Sequence, residues 1–86
     1  MFYVVAYDIK DNKRRDKVAS ILEEYGIRVN YSVFELKIDK NQLRELLKKL
    51  IFEVDKKEDS VRFYNLTQKE IKNSFEICNN IEIFDF

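Results

Sequence analysis

The chain has 86 residues, 45% of them hydrophobic and 37% charged, with 16 Lys+Arg against 16 Asp+Glu. A chain this short builds one domain, and with no net charge any grip on nucleic acid has to come from a local basic patch. It contains no His, one Cys, one Gly and no Pro, which excludes Ser-His, Cys-His and His-zinc sites, an intrachain disulfide, and glycine-rich phosphate loops of the Walker or dinucleotide type.

Phe2 to Tyr7 is a short β-branched and aromatic run. It is too short for a helix and too continuously apolar for a half-exposed strand, so it predicts a buried central strand ending near Asp8. After a polar stretch from Lys10, Asp11 or Asn12 is placed to cap a helix in which Val18, Ile21, Leu22 and Tyr25 recur at helical spacing, with Gly26 as its left-handed stop. From Ile27 to Ile38 the period changes to two, and that length predicts a tight turn near Asn30 to Ser32. Asp39 and Gln42 form a capping-box pattern ahead of a second helix, whose Leu43, Leu46, Leu47, Leu50 and Val54 make a buried stripe. The charged stretch Asp55 to Asp59 ends it. Ser60 to Leu66 reads as a strand, Thr67-x-x-Glu70 as the start of a short helix, and Ile81 to Phe86 as a terminal strand.

Strand, helix, strand, strand, helix, strand is the α+β order of the ferredoxin-like βαββαβ sandwich. Residues 1–66 form its core, and 67–86 are a C-terminal extension of the same domain. Right-handed crossovers put both helices on one sheet face. The other face is left for a partner, and a small domain without disulfide or zinc is expected to be a homodimer. The segment 81–86 is a candidate for strand addition to a neighbouring subunit's sheet edge. No apolar run approaches the ~20 residues of a membrane span and no signal-type segment opens the chain, so a cytoplasmic protein is expected. Cys78 reads as a buried or idle thiol.

The chemistry left open is that of oxygen ligands: carboxylates holding a hard cation such as Mg²⁺ or Mn²⁺. Asp8 stands directly after the buried strand, at the sheet rim. It reads either as a turn-forming side chain or as a metal ligand, completed in a two-fold dimer by the same residue of a second copy. Lys10, Lys13, Arg14, Arg15 and Lys17 flank the first helix start, with Arg28 beyond it. They form either a solvated face or a phosphate-binding patch. Residues 1–50 carry 11 basic and 8 acidic side chains and residues 51–86 carry 5 and 8, so the polarity is segregated. Tyr31, Ser32 and Phe34, beside Asn30, are either core and turn or groups that orient a phosphodiester and stack a base.

Four blocks carry a family resemblance: Tyr3-Val4-Val5-Ala6-Tyr7-Asp8-Ile9; Lys13-Arg14-Arg15-Asp16-Lys17-Val18; Gly26-Ile27-Arg28-Val29-Asn30-Tyr31-Ser32-Val33-Phe34-Glu35; and Ser60-Val61-Arg62-Phe63-Tyr64. In this order they resemble the second of the two universal CRISPR adaptation proteins, the small one that partners the spacer integrase. The resemblance implies a ferredoxin-like homodimer in which the two Asp8 side chains face each other and share Mg²⁺ or Mn²⁺. It implies two activities. One is a scaffold that joins integrase dimers and holds a protospacer duplex through Lys13, Arg14, Arg15, Lys17 and Arg28. The other is a metal-dependent endonuclease on single-stranded RNA or double-stranded DNA, with Asp8 catalytic and Ser32 and Arg15 positioning the phosphate. A ferredoxin-like regulatory domain that binds a small molecule is the remaining alternative from the residues alone.

Overall fold

The apolar run at the start of the chain forms β1 (Phe2–Asp8), the strand around which the sheet is built. The computed structural model describes residues 1–77 and the backbone of 82–83. β1 pairs antiparallel with β3 (Val33–Lys37) on one side and with β4 (Ser60–Leu66) on the other. β2 (Gly26–Asn30) closes the outer edge of β3, so the sheet order is β2-β3-β1-β4. α1 (Asn12–Glu23) connects β1 to β2, and α2 (Lys40–Glu53) connects β3 to β4. This is the βαββαβ sandwich that the sequence predicts, with the break between β2 and β3 falling at Tyr31 and Ser32.

The strand period of two decides which side chains go inward. Val5, Tyr7 and Ile9 are buried with Phe34 and Leu36 of β3, against Val18 and Leu22 of α1 and Leu46 and Leu50 of α2. Neither long helix covers the opposite face. There Val4 stands between Glu35 and Tyr64, and Tyr64 and Ile27 are exposed. Burial pushes the Glu35 carboxyl above its ordinary value, with the charge of Glu76 acting in the same direction. At one corner of this face α3 (Gln68–Lys72) sets its buried Ile71 into a small cavity with Phe2 and Leu66.

Asp11 is the N-cap of α1, accepting from the Arg14 backbone N–H at 3.0 Å. At α2 both halves of the predicted capping box are present: Asp39 accepts from the Gln42 N–H at 2.8 Å, and Gln42 accepts from the Asp39 N–H at 3.0 Å. Thr67 is the N-cap of α3, but its side chain makes no capping bond. Gly26 also has a different role from the one its position suggests. The C-cap of α1 is Glu24, in right-handed conformation, and Gly26 is the first residue of β2 with no left-handed backbone. Space requires the glycine: a Cβ there would overlap the Glu35 carbonyl oxygen and Leu36 Cδ2 of β3.

The extension adds a strand that the sequence did not announce. β5 (Phe75–Glu76) pairs antiparallel with β6 (Glu82–Ile83) in a two-stranded ladder separate from the main sheet. The rest of the predicted strand from Ile81 to Phe86, and Cys78, lie outside the described residues. No helix among the described residues is long and apolar enough to cross a membrane.

Candidate functional site

The end of β1 is tied to the β2–β3 turn by a buried tyrosine. The Tyr7 N–H donates to the Ser32 carbonyl at 3.0 Å, and the Tyr7 hydroxyl donates to the Tyr31 carbonyl at 3.2 Å. From β2, Arg28 Nη2 donates to the same hydroxyl at 3.2 Å while its guanidinium lies 5.3 Å from the centre of the Phe34 ring. The pleat that turns Tyr7 inward turns Asp8 out to the rim. On the α1 side, Arg15 donates from Nη2 to the Ile9 carbonyl at 3.0 Å and from Nη1 to Asn12 Oδ1 at 2.7 Å. Asp8, Arg15 and Ser32 therefore line one cleft of about 300 Å³, together with Tyr7, Ile9 and Tyr31. These are the three residues for which the sequence and its resemblance predict a shared role.

Asp8 is 70% exposed, and its ion pair is with Lys10 Nζ at 3.2 Å. An exposed pair of this kind holds its members loosely, so the carboxylate is available to a ligand. Mg²⁺ is commonly held by one or two carboxylates plus waters and phosphate oxygens. Within one chain Asp8 is the only carboxylate lining the cleft, and no group of three or more His, Cys, Asp or Glu side chains suited to a metal occurs among the described residues. One exposed carboxylate per chain is an oxygen donor of the kind a hard cation takes, and the remaining donors would have to come from outside the chain.

The basic residues divide by what they touch. Arg14 binds both oxygens of Asp59, from Nε at 2.8 Å and from Nη2 at 3.1 Å, and its Nη2 lies 3.5 Å from Glu58. The Arg14 side chain is 26% exposed and that of Asp59 is 0% exposed. Asp59 also accepts from the backbone N–H groups of Lys10 at 3.0 Å and Asp55 at 2.9 Å. The Arg14 guanidinium holds the Asp59 carboxyl well below the usual carboxylate range, and Asp59 in turn raises Arg14 further above its ordinary value. Arg14, expected in the phosphate patch, is thus neutralised inside the fold. Lys17 reaches Glu53 only at 4.0 Å, and Lys13 has no ion pair among the described residues. Lys13, Arg15 and Lys17 remain as the cations of the α1 surface, and Arg28 reaches the cleft from β2 through Tyr7. Asp59 is the residue that sequence reasoning missed, because the charged stretch Asp55 to Asp59 reads only as a helix stop and its main partner lies 45 residues away.

The sequence model of the family described as CRISPR associated protein Cas2 matches residues 1–74. The CRISPR-associated endoribonuclease Cas2 3 of Synechocystis sp. is 52% identical over 65 residues, which cover 76% of this chain and 71% of that protein. The crystal structure of Streptococcus pyogenes Cas2 superposes with a TM-score of 0.80 at 30% identity, covering 90% of this chain and 99% of the other. A chain in a partial Cas6-RT-Cas1–Cas2 complex gives a TM-score of 0.71 at 36% identity, covering 92% of each chain. With the four sequence blocks in order, the sandwich topology in place and the family match running from β1 past α3, the chain belongs to the CRISPR associated protein Cas2 family.

Proposed function

We propose that this chain acts in CRISPR adaptation as a homodimer that binds a nucleic-acid backbone beside the integrase, and that paired Asp8 carboxylates equip it for cation-dependent phosphodiester hydrolysis. The observation that carries this reading is the convergence of Asp8, Arg15 and Ser32 on one cleft. Arg15 is held by two bonds at its own helix start, which leaves further guanidinium N–H groups for a phosphate oxygen. Ser32 lines the same cleft and brings a hydroxyl that can donate to a second phosphate oxygen. Asp8 and its partner copy provide the negative charge that a hard cation needs. When bound, Mg²⁺ or Mn²⁺ supplies charge stabilisation at the phosphoryl group and lowers the pKa of an attacking water. The substrate class this arrangement would serve is single-stranded RNA or double-stranded DNA. The integrase as partner is supported by the relative found in a complex with Cas1.

A second reading, a scaffold that binds backbone without cutting it, is favoured by the single exposed carboxylate that each chain brings to its cleft. One experiment separates the two. Parent and Asp8→Asn are assayed on labelled RNA and duplex DNA with Mg²⁺, with Mn²⁺ and with chelator, while sedimentation follows the dimer. The nuclease reading expects metal-dependent cleavage that falls at least about 100-fold in the variant, the scale on which losing one charge-stabilising group acts, with the dimer intact. Equal cleavage by both proteins removes Asp8 from the chemistry. Duplex binding by the parent without cleavage under any metal supports the scaffold.

A further inference from the structure

Tyr31 occupies the first position of the two-residue turn between β2 and β3 and is 91% exposed. Its side chain is therefore not core, which was one of the two roles its sequence allows. Its backbone, by contrast, is held on both sides: its N–H donates to Asn30 Oδ1 at 2.8 Å, and its carbonyl accepts from the Tyr7 hydroxyl at 3.2 Å. The next carbonyl, of Ser32, takes the Tyr7 N–H at 3.0 Å, and Tyr7 is itself buried and braced by Arg28. An exposed aromatic on a loose loop is commonplace. Here the mount is tied to the central strand, so little freedom remains to be lost when the ring meets a ligand. The ring takes part in none of the ring or cation contacts among the described residues. Tyr31 also lines the cleft that holds Asp8, Arg15 and Ser32. One site thus combines a cation and a hydroxyl suited to phosphate with a flat, unoccupied aromatic surface suited to a base.

We propose that Tyr31 is a stacking platform for an unpaired nucleobase next to the phosphate held at Arg15 and Ser32, so that the site selects single-stranded over duplex nucleic acid. The proposal rests on the backbone-binding reading above and names its substrate class. Base–aromatic stacking is tolerant of sequence because every base has a π face. In a duplex, neighbouring pairs already cover those faces, so the same ring gains nothing there.

The test measures dissociation constants by fluorescence anisotropy at fixed salt for parent, Tyr31→Phe and Tyr31→Ala. Each is titrated with a single-stranded oligonucleotide, the same strand made abasic, and the matched duplex, and each protein's assembly state is measured by sedimentation. Tyr31→Ala is expected to weaken single-strand binding by about 5- to 150-fold, the range that loss of one base–aromatic stack produces. It leaves duplex binding within about twofold of the parent, and Tyr31→Phe restores the parent value. The abasic strand binds parent and Tyr31→Ala equally. Equal losses on single strand and duplex, or no loss on either, overturn the proposal. Dissociation of the dimer in Tyr31→Ala also overturns it and makes Tyr31 a subunit contact. A parent that binds neither nucleic acid overturns the backbone-binding reading itself, an outcome distinct from a parent that binds and a variant that matches it.

Discussion

Asp59 is a carboxylate with no motif around it, yet its four hydrogen bonds join two loops distant in sequence. The Lys10 N–H comes from the β1–α1 connection, the Arg14 guanidinium from the first turn of α1, and the Asp55 N–H from the loop after α2. Lys10 in turn pairs with Asp8, so the Asp59 knot is linked to the cleft through Lys10. The knot has a pH signature. Because the folded state holds the Asp59 carboxyl below its ordinary value, folding favours the ionised form. The stability this adds is complete above the unfolded-state pKa of about 4 and is lost as pH falls through the folded value. Asp59→Asn is therefore expected to unfold at a lower temperature than the parent at pH 7, with the gap closing as pH drops below about 4. Thermal unfolding across that range checks it, and two profiles that stay parallel would remove the ion pair as the cause. The grouping of Asp8, Arg15 and Ser32 was an expectation carried by the family resemblance of the four sequence blocks, and the fold brings the three residues to one cleft. Asp59 was not legible in the sequence, because a buried carboxylate is recognised only through partners that the fold brings to it.

Among the elements, caps show where local sequence suffices and where it does not. Asp39 and Thr67 both begin patterns with the capping-box spacing, but only Asp39 closes its box, and the Thr67 side chain leaves the α3 start uncapped. Asp39→Ala is expected to cost about 1 kcal/mol in denaturant-derived stability, within the range of 0.5–2 kcal/mol for lost N-caps. Thr67→Ala is expected to change stability by less than about 0.5 kcal/mol, as an exposed substitution without a broken bond does. Equal costs at both positions would show that spacing rather than the bond controls the helix start. The Leu stripe of α2 was legible in part, because helical periodicity is local: Leu46 and Leu50 are buried and Leu43 and Val54 partly so, whereas Leu47, expected in the same stripe, is exposed. The reason for Gly26 was not legible, since the close approach that demands it involves Glu35 and Leu36 on another strand.

For the whole molecule, the unshared face of the sheet is the feature still to be satisfied. Val4, Glu35 and Tyr64 stand side by side on it, Ile27 and Tyr64 are exposed, and α3 covers only the corner near Phe2. Apolar side chains across a sheet face of a small domain favour burial against a second copy, and two copies are also what the proposed pairing of Asp8 carboxylates requires. Tyr64→Glu places a second acid beside Glu35 on that face, across Val4. It is expected to convert a two-chain species into monomers in sedimentation while circular dichroism stays at the parent level. A Tyr64→Glu protein that remains dimeric would place the subunit contact elsewhere.

By itself the sequence determined the α+β sandwich, its two long helices and the capping box at Asp39. Each of these follows from patterns a few residues long, in which the side-chain period meets the geometry of a helix or a strand. The tertiary structure alone decided that Arg14 is neutralised by Asp59, that Gly26 answers to crowding, and that Tyr31 stands uncovered beside Asp8, Arg15 and Ser32. These outcomes depend on which strand lies next to β1 and which loops meet behind it. Distances across the fold, burial and charge screening set them, and spacing along the chain carries no record of those quantities.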